Sequence, residues 1–224
     1  MTTLDEITRQ LVEMDEARIV ELTQAAIDAG TPPEDILDNG LIPGMRIVGE
    51  QFENGEIFLP ELLMSGEAMK AAMTLLKPLL AARSGGRRFA GRAAIGTVSG
   101  DLHDIGKNIV VMMLEGNGWE VTDLGVDVSP EGFCEAVRDN DYDVIGLSAL
   151  LTTTMPFQTE TIEALKAAGI RDKVKVAIGG SVCTQQFADR IGADCYAADA
   201  SDAVRKITGL ITGPRADGGA RIDR

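Results

Sequence analysis

Ala93-Ala94-Ile95-Gly96-Thr97-Val98 is an apolar run. One residue later comes Gly100-Asp101-Leu102-His103-Asp104-Ile105-Gly106-Lys107-Asn108. A short apolar run bounded by a glycine turn reads as a buried strand. The polar segment after it reads as a loop that opens a helix. Working outward, strand-like runs recur at 92–98, 120–123, 143–147, 174–178 and 194–197. Helical periodicity fills 106–117, 130–139, 157–168, 185–191 and 200–210. Strict alternation of strand and helix predicts a parallel sheet with helical crossovers. The expected fold is therefore α/β, a flavodoxin/Rossmann-like domain with a five-stranded parallel sheet. Such sheets bind ligands at the carboxyl ends of their strands, near the switch in strand order.

Upstream of residue 84 the pattern is helical. Leu4, Ile7 and Leu11, then Ile19, Leu22 and Ala26, recur at helical spacing,. Gly30 suits a helix C′ position. Thr31-Pro32-Pro33-Glu34 reads as a capping box with proline at the first helical position. A third helix is expected over 34–50 and a fourth from Pro60 to about residue 82. Four helices with short connections predict an N-terminal four-helix bundle. Met64, Met69, Met73, Phe52 and the pair Phe58-Leu59 read as bundle core. Asp15, Glu16 and Glu21 read as a solvated face. Ser84-Gly85-Gly86-Arg87-Arg88 is the expected linker. The organisation is then a helical domain over 1–86, an α/β domain over 87–212, and a disordered tail over 213–224.

Composition narrows the function classes. The formal charge is −14, from 21 basic and 35 acidic residues. So acidic a chain is repelled by nucleic acid and by anionic membrane surfaces. No apolar run is long enough to span a bilayer, and the acidic N-terminus lacks a signal-peptide pattern. Cys134, Cys183 and Cys195 form no CxxC pair and read as reduced, buried thiols of a cytoplasmic protein.

Three loops follow strand ends: 100–106, 148–154 and the turn Gly179-Gly180-Ser181. The fold brings them to one edge. His103 is the single histidine of the chain. One imidazole cannot join a multi-histidine metal site. It can serve as one axial ligand to a metal whose other positions a macrocycle fills, and Asp101 suits the role of fixing its tautomer. Each element also has a plainer role. Asp101 and Asp104 suit the N-terminus of the next helix. The hydroxyl run suits turn chemistry, and the glycine pair suits a turn or a phosphate approach.

The string Asp101-x-His103-x-x-Gly106, then Ser148-x-Leu150, then Gly179-Gly180, resembles the signature of cobalamin-binding domains that hold the cofactor with its lower base displaced. The longer string from Gly100 to Val110 is similar to the methyl-carrying branch, as in cobalamin-dependent methionine synthase. Phe52-Glu53-Asn54-Gly55-Glu56-Ile57-Phe58-Leu59-Pro60-Glu61-Leu62-Leu63-Met64 resembles that family's cap domain. A cap plus cobalamin domain of this length, without a catalytic barrel, resembles the corrinoid proteins of methylamine, methanol, betaine and aryl-ether methyltransferase systems.

The resemblance implies specific roles. His103 is the lower ligand to cobalt, Asp101 accepts from its other nitrogen, and Thr154 stands where methionine synthase has the serine of that relay. Gly100, Leu102, Asp104, Ile105 and Gly106 complete the cofactor loop. Ser148, Leu150 and Thr152 meet the displaced base, Gly179 and Gly180 line the nucleotide tail, and Ala200 is a further contact. Phe52 and Leu59 shield the methyl-bearing face, and Asp38 falls where the family often has Glu. The implied cofactor is cobalamin, cycling between methylcobalamin and a Co(I) corrinoid. The implied partners are a substrate-specific methyltransferase, a second methyltransferase acting on coenzyme M or tetrahydrofolate, and a reductive activator. Alone the chain is expected to be non-catalytic, with 84–88 acting as a hinge. The rival readings are a cobalamin-dependent light or ligand sensor and the small subunit of a carbon-skeleton mutase.

Overall fold

The computed structural model describes residues 2–82 and 89–212. The expected linker over 84–88 and tail over 213–224 lie outside the described residues. The described chain forms two compact units, one helical and one α/β.

The helical unit contains α1 (Thr3–Val12), α2 (Glu16–Asp28), α3 (Pro33–Ile36), α4 (Ile42–Glu53) and α5 (Leu59–Ala82), with a π-helical turn Leu37–Leu41 joining α3 to α4. Ile7, Leu11, Ile19, Ile36, Leu41, Leu62 and Leu76 are fully buried and form its core. The C-terminus of α2 closes as expected. Gly30 takes φ +80, its N–H donates to Ile27 O, and the Thr31 N–H donates to Ala26 O, the paired bonds of a Schellman ending,.

Two expectations for this unit are corrected. The capping box at Thr31 does not form. Pro33 forces the residue before it into extended backbone, so Pro32 becomes the N-cap, with no side-chain bond,. Phe58 is 70% exposed and Met64 54% exposed, whereas Met69 and Met73 are buried as core. Phe58 precedes the first turn of α5 and Met64 sits on its outer face, so neither reaches the packed stripe. Asp15 is exposed, as expected, and its side chain also caps α2 by accepting from the Arg18 N–H,.

The α/β unit contains β1 (Arg92–Val98), α6 (Ile105–Gly116), β2 (Glu120–Val128), α7 (Pro130–Asp139), β3 (Val144–Ser148), α8 (Pro156–Ala167), β4 (Lys175–Gly179), α9 (Gln185–Ile191), β5 (Cys195–Ala197) and α10 (Ala200–Thr212). All four strand pairings are parallel, in the order β2-β1-β3-β4-β5. This is the flavodoxin-like order, whose switch point lies between β1 and β3. β1 is buried on both faces, which explains its unbroken apolar reading. On one face of the sheet, Phe133, Ile162, Leu165 and Ala188 of α7, α8 and α9 pack on Ala94, Val98, Ile145 and Val176. On the other face, Leu114 of α6 and Ala203 and Ile207 of α10 pack on Ala93, Ile95 and Ala177. Phe133 is the largest fully buried side chain, and truncating it to alanine costs about 3–5 kcal/mol.

β2 extends to Val128, well past the expected end at residue 123, and pairs irregularly with β1. The three cysteines are free and buried. Burial pushes the Cys195 thiol up to about 11, so it is inert as a nucleophile. Among the described residues no helix is long and apolar enough to cross a membrane.

Candidate cobalamin site at the switch point

The loop after β1 and the loop after β3 meet across the switch point, and Asp101 joins them. Its side chain is fully buried. Oδ1 lies 2.7 Å from His103 Nδ1 and also accepts from the His103 N–H at 3.1 Å. Oδ2 accepts from the Thr154 hydroxyl at 2.6 Å and from the Leu150 N–H at 2.8 Å. Two oxygens thus take four donors, the full capacity of a carboxylate. Burial alone raises the pKa of Asp101. The bonds from Thr154, from the ring and N–H of His103, and from Leu150 outweigh it and hold the group well below the ordinary carboxylate range,.

A carboxylate only accepts, so the neutral His103 ring carries its proton on Nδ1 and leaves the Nε2 lone pair free. The imidazole is 51% exposed. Its backbone is held as well: the Thr97 hydroxyl, fully buried in β1, donates to His103 O at 2.9 Å. On the same two loops and the start of α6, Leu102, Ile105, Leu150 and Leu151 are exposed. The site is therefore an oriented imidazole donor on loops that also carry uncovered apolar side chains. Among the described residues no cluster of three or more His, Cys, Asp or Glu could hold a metal ion.

The third loop follows β4. Gly180 has φ +121, and a Cβ there would lie 1.8 Å from Ala149 O. Only glycine fits. At Gly179 a Cβ would meet only Ala197 O, at 3.5 Å, so that side is open. The buried side chain of Gln158, on α8, ties this turn to β3. Its Nε2 donates to Leu147 O at 2.9 Å and to Gly179 O at 3.1 Å, and its Oε1 accepts from the Cys183 thiol.

The structure thus brings together Gly100 to Gly106, Leu150 and Thr154, with Ser148 at the end of β3 and Gly179 and Gly180 at the end of β4. Thr152 is exposed in the turn before α8, and Ala200 is the first residue of α10. Phe52 and Leu59 belong to the helical unit, at the end of α4 and the start of α5, each half-buried. Asp38 is exposed in the π turn. Sequence reasoning missed Thr97 and Gln158. Thr97 carried a signal, being the lone polar side chain of the apolar run Ala93–Val98. Gln158 carried none, because its burial follows from how α8 docks.

Comparison with known proteins gives the family of the chain. A family model described as the B12 binding domain matches residues 91–207, and a second model of the same description matches residues 3–77. The chain belongs to the B12-binding corrinoid proteins. It is 44% identical over 208 residues to dimethylamine corrinoid protein 3 of Methanosarcina acetivorans, covering 93% of this chain and 96% of the relative. It is 45% identical to trimethylamine corrinoid protein 2 of the same organism, covering 90% and 93%. Among solved structures, this corrinoid protein resembles one chain of the methanol:cobalamin methyltransferase complex of Methanosarcina barkeri, with a TM-score of 0.83 and 35% identity, covering 93% of this chain and 79% of that one. It also resembles a cobalamin-binding protein of Desulfitobacterium hafniense, with a TM-score of 0.72 and 34% identity, covering 93% and 98%.

The residues of this corrinoid protein fit the group its family implies. An imidazole with its distal nitrogen locked and its proximal lone pair free suits one axial position of a macrocycle-bound metal. The exposed apolar residues on the same loops suit the face of a ring, and the open side of Gly179 suits a chain lying against backbone.

Proposed function

We propose that this chain carries a methyl group on bound cobalamin between two methyltransferases. One loads it from a methylated donor of the amine, methanol, betaine or aryl-ether class. The other unloads it to coenzyme M or tetrahydrofolate, and a reductive activator restores the cofactor when it is oxidised. The supporting observation is the Asp101–His103 pair at 2.7 Å, with Nε2 left free, in a chain whose relatives are named for methylamine systems.

Bound cobalamin supplies a cobalt centre that accepts and releases a methyl group. The chain's residues supply the rest. His103 Nε2 would be the protein's ligand to the cobalt. Asp101 keeps the proton on Nδ1 and steadies any positive charge the ring acquires, and Thr154 steadies Asp101. Ser148, Leu150, Thr152 and Ala200 would contact the cofactor's base, and Gly179 and Gly180 would leave room for its nucleotide tail. Phe52 and Leu59, of the helical unit, would help exclude water and oxidants from the methyl group.

A single histidine makes the test direct. Protein grown on 15N-histidine carries the label only in His103. Reconstituted with unlabelled cobalamin and reduced to Co(II), it should give an electron paramagnetic resonance spectrum in which the nitrogen splitting changes from triplet to doublet. A persistent triplet assigns the ligand to the cofactor's base and sinks the histidine reading. Methylation of the reduced protein by a methyltransferase of one of the four donor classes should then appear in the absorbance spectrum. Failure with all four overturns the carrier reading.

A further inference from the structure

The loop that holds His103 is gripped by a part of β2 that breaks strand geometry. Against β1, residue pairing steps from Asp123 to Gly125 and then from Gly125 to Val128, each time with one residue extra on β2. Two bulges follow each other, and bulges re-aim side chains beside functional sites. The second contains Asp127 at φ 54, one of two non-glycine residues of positive φ among the described residues. Left-handed backbone is costly for L-residues, and aspartate is among the few that tolerate it.

That conformation turns Asp127 back onto the loop. Its Oδ1 accepts from the Gly100 N–H at 2.7 Å and faces the Ser99 hydroxyl at 3.5 Å. Its own N–H donates to Asp101 O at 3.0 Å. Asp127 therefore holds the Ser99–Gly100 and Asp101–Leu102 peptide units, on either side of the residue whose carboxylate orients His103. The same irregular stretch grips the far side of the loop. Lys107, in the first turn of α6 and 3% exposed, lies 2.6 Å from both oxygens of Asp123, and Asp123 Oδ1 also accepts from the Gly125 N–H at 2.8 Å. From Asp123 to Asp127, β2 is bonded before and after the His103 loop.

We propose that Asp127 is a positioning residue for His103: its left-handed backbone and its carboxylate fix the peptide units on either side of the Gly100–Asp101 peptide, and so the placement of the Asp101–His103 pair toward the cofactor. The inference rests on the reading of His103 as the axial ligand, but the clamp is measurable without it.

Three variants separate backbone from side chain. Asp127→Gly keeps the positive φ and the N–H but loses the acceptor. Asp127→Asn keeps all three. Asp127→Ala loses the acceptor and strains the backbone. In the cofactor-free protein, amide exchange is read at His103 and Leu150, whose N–H groups bond Asp101 and not Asp127. Asp127→Gly should speed both about tenfold, the scale of one lost hydrogen bond to a charged group, with circular dichroism unchanged. Asp127→Asn should restore wild-type exchange, and Asp127→Ala should exceed Asp127→Gly. Reconstituted with cobalamin and 15N-histidine, Asp127→Gly should show part of the Co(II) signal reverting from doublet to triplet, and Asp127→Asn should not. Wild-type exchange at His103 and Leu150 in Asp127→Gly overturns the proposal, as does failure of Asp127→Asn to restore it. If wild-type protein shows no doublet, the axial-ligand reading fails, and the exchange data alone decide the clamp.

Discussion

Thr154 donates to Asp101 Oδ2 across 2.6 Å, on the opposite oxygen from the one that meets His103. The hydroxyl also lies 3.0 Å from Leu151 O, but its single proton goes to the nearer, charged acceptor. Thr154→Ser should therefore keep the bond and the stability of the wild type. Thr154→Val should leave the carboxylate one donor short and cost about 1–3 kcal/mol, read as a lower urea midpoint. A valine variant as stable as the serine variant would show that the bond contributes nothing.

Acid should destabilise the α/β unit through its depressed carboxylates. Asp101 and Asp194 both have folded-state pKa values below the ordinary range. For Asp194, burial opposes the shift and the bonds from the Val176 N–H, Lys175 and Arg171 outweigh it. The unfolded chain thus takes up protons first as pH falls. The stabilisation is complete above the ordinary carboxylate pKa, about 4, and is lost as pH drops through that value toward the folded pKa. Urea midpoints measured from pH 6 down to pH 3 should fall. Asp194→Asn should flatten that slope while lowering the midpoint at pH 6. A slope unchanged by the substitution would exclude Asp194 as a contributor.

The two adjacent glycines after β4 should part company on substitution. Gly180→Ala drives a Cβ to within 1.8 Å of Ala149 O at a φ that alanine avoids, and the α/β unit should not fold stably. Gly179→Ala meets only Ala197 O at 3.5 Å and should melt within a few degrees of wild type. If the nucleotide tail lies along Gly179, that same variant should bind cobalamin at least tenfold more weakly by titration. Unchanged binding would move the tail elsewhere.

Gln158 bridges the ends of β3 and β4 from inside the core. Gln158→Leu leaves Leu147 O and Gly179 O without its two donors and should cost about 2–4 kcal/mol. Gln158→Glu should be worse, because an ionised carboxylate would face those same carbonyl oxygens in a buried place. Equal melting temperatures for the two variants would mean that the glutamate enters protonated.

How far the chain could be read in advance depended on burial. β1 was legible because a central parallel strand is covered on both faces, so no polar residue interrupts it except Thr97. The meeting of the loops after β1 and β3 was legible because strand ends carry the loops of such sheets; the place of Thr154 beside Asp101 was expected from the family resemblance alone. β2 beyond residue 123 was not. The alternation slips by one across Asp123, from Val121 to Leu124, Val126 and Val128, at the place where the strand first bulges. The positions of Phe58 and Met64 were misread for a different reason: helical spacing marks a stripe, but not where that stripe ends. At Thr31 one proline too many moved the cap.

The bulged end of β2 has a second consequence, for how the molecule behaves in company. In the order β2-β1-β3-β4-β5 the sheet has two margins, β2 and β5. β5 has three residues, too few to recruit a foreign strand. β2 has nine, long enough to be a template, but two extra residues and a left-handed aspartate spoil the even spacing of its outward amides and carbonyls. The geometry that steadies the cofactor loop also leaves the sheet without a straight rim on which a neighbouring chain could polymerise.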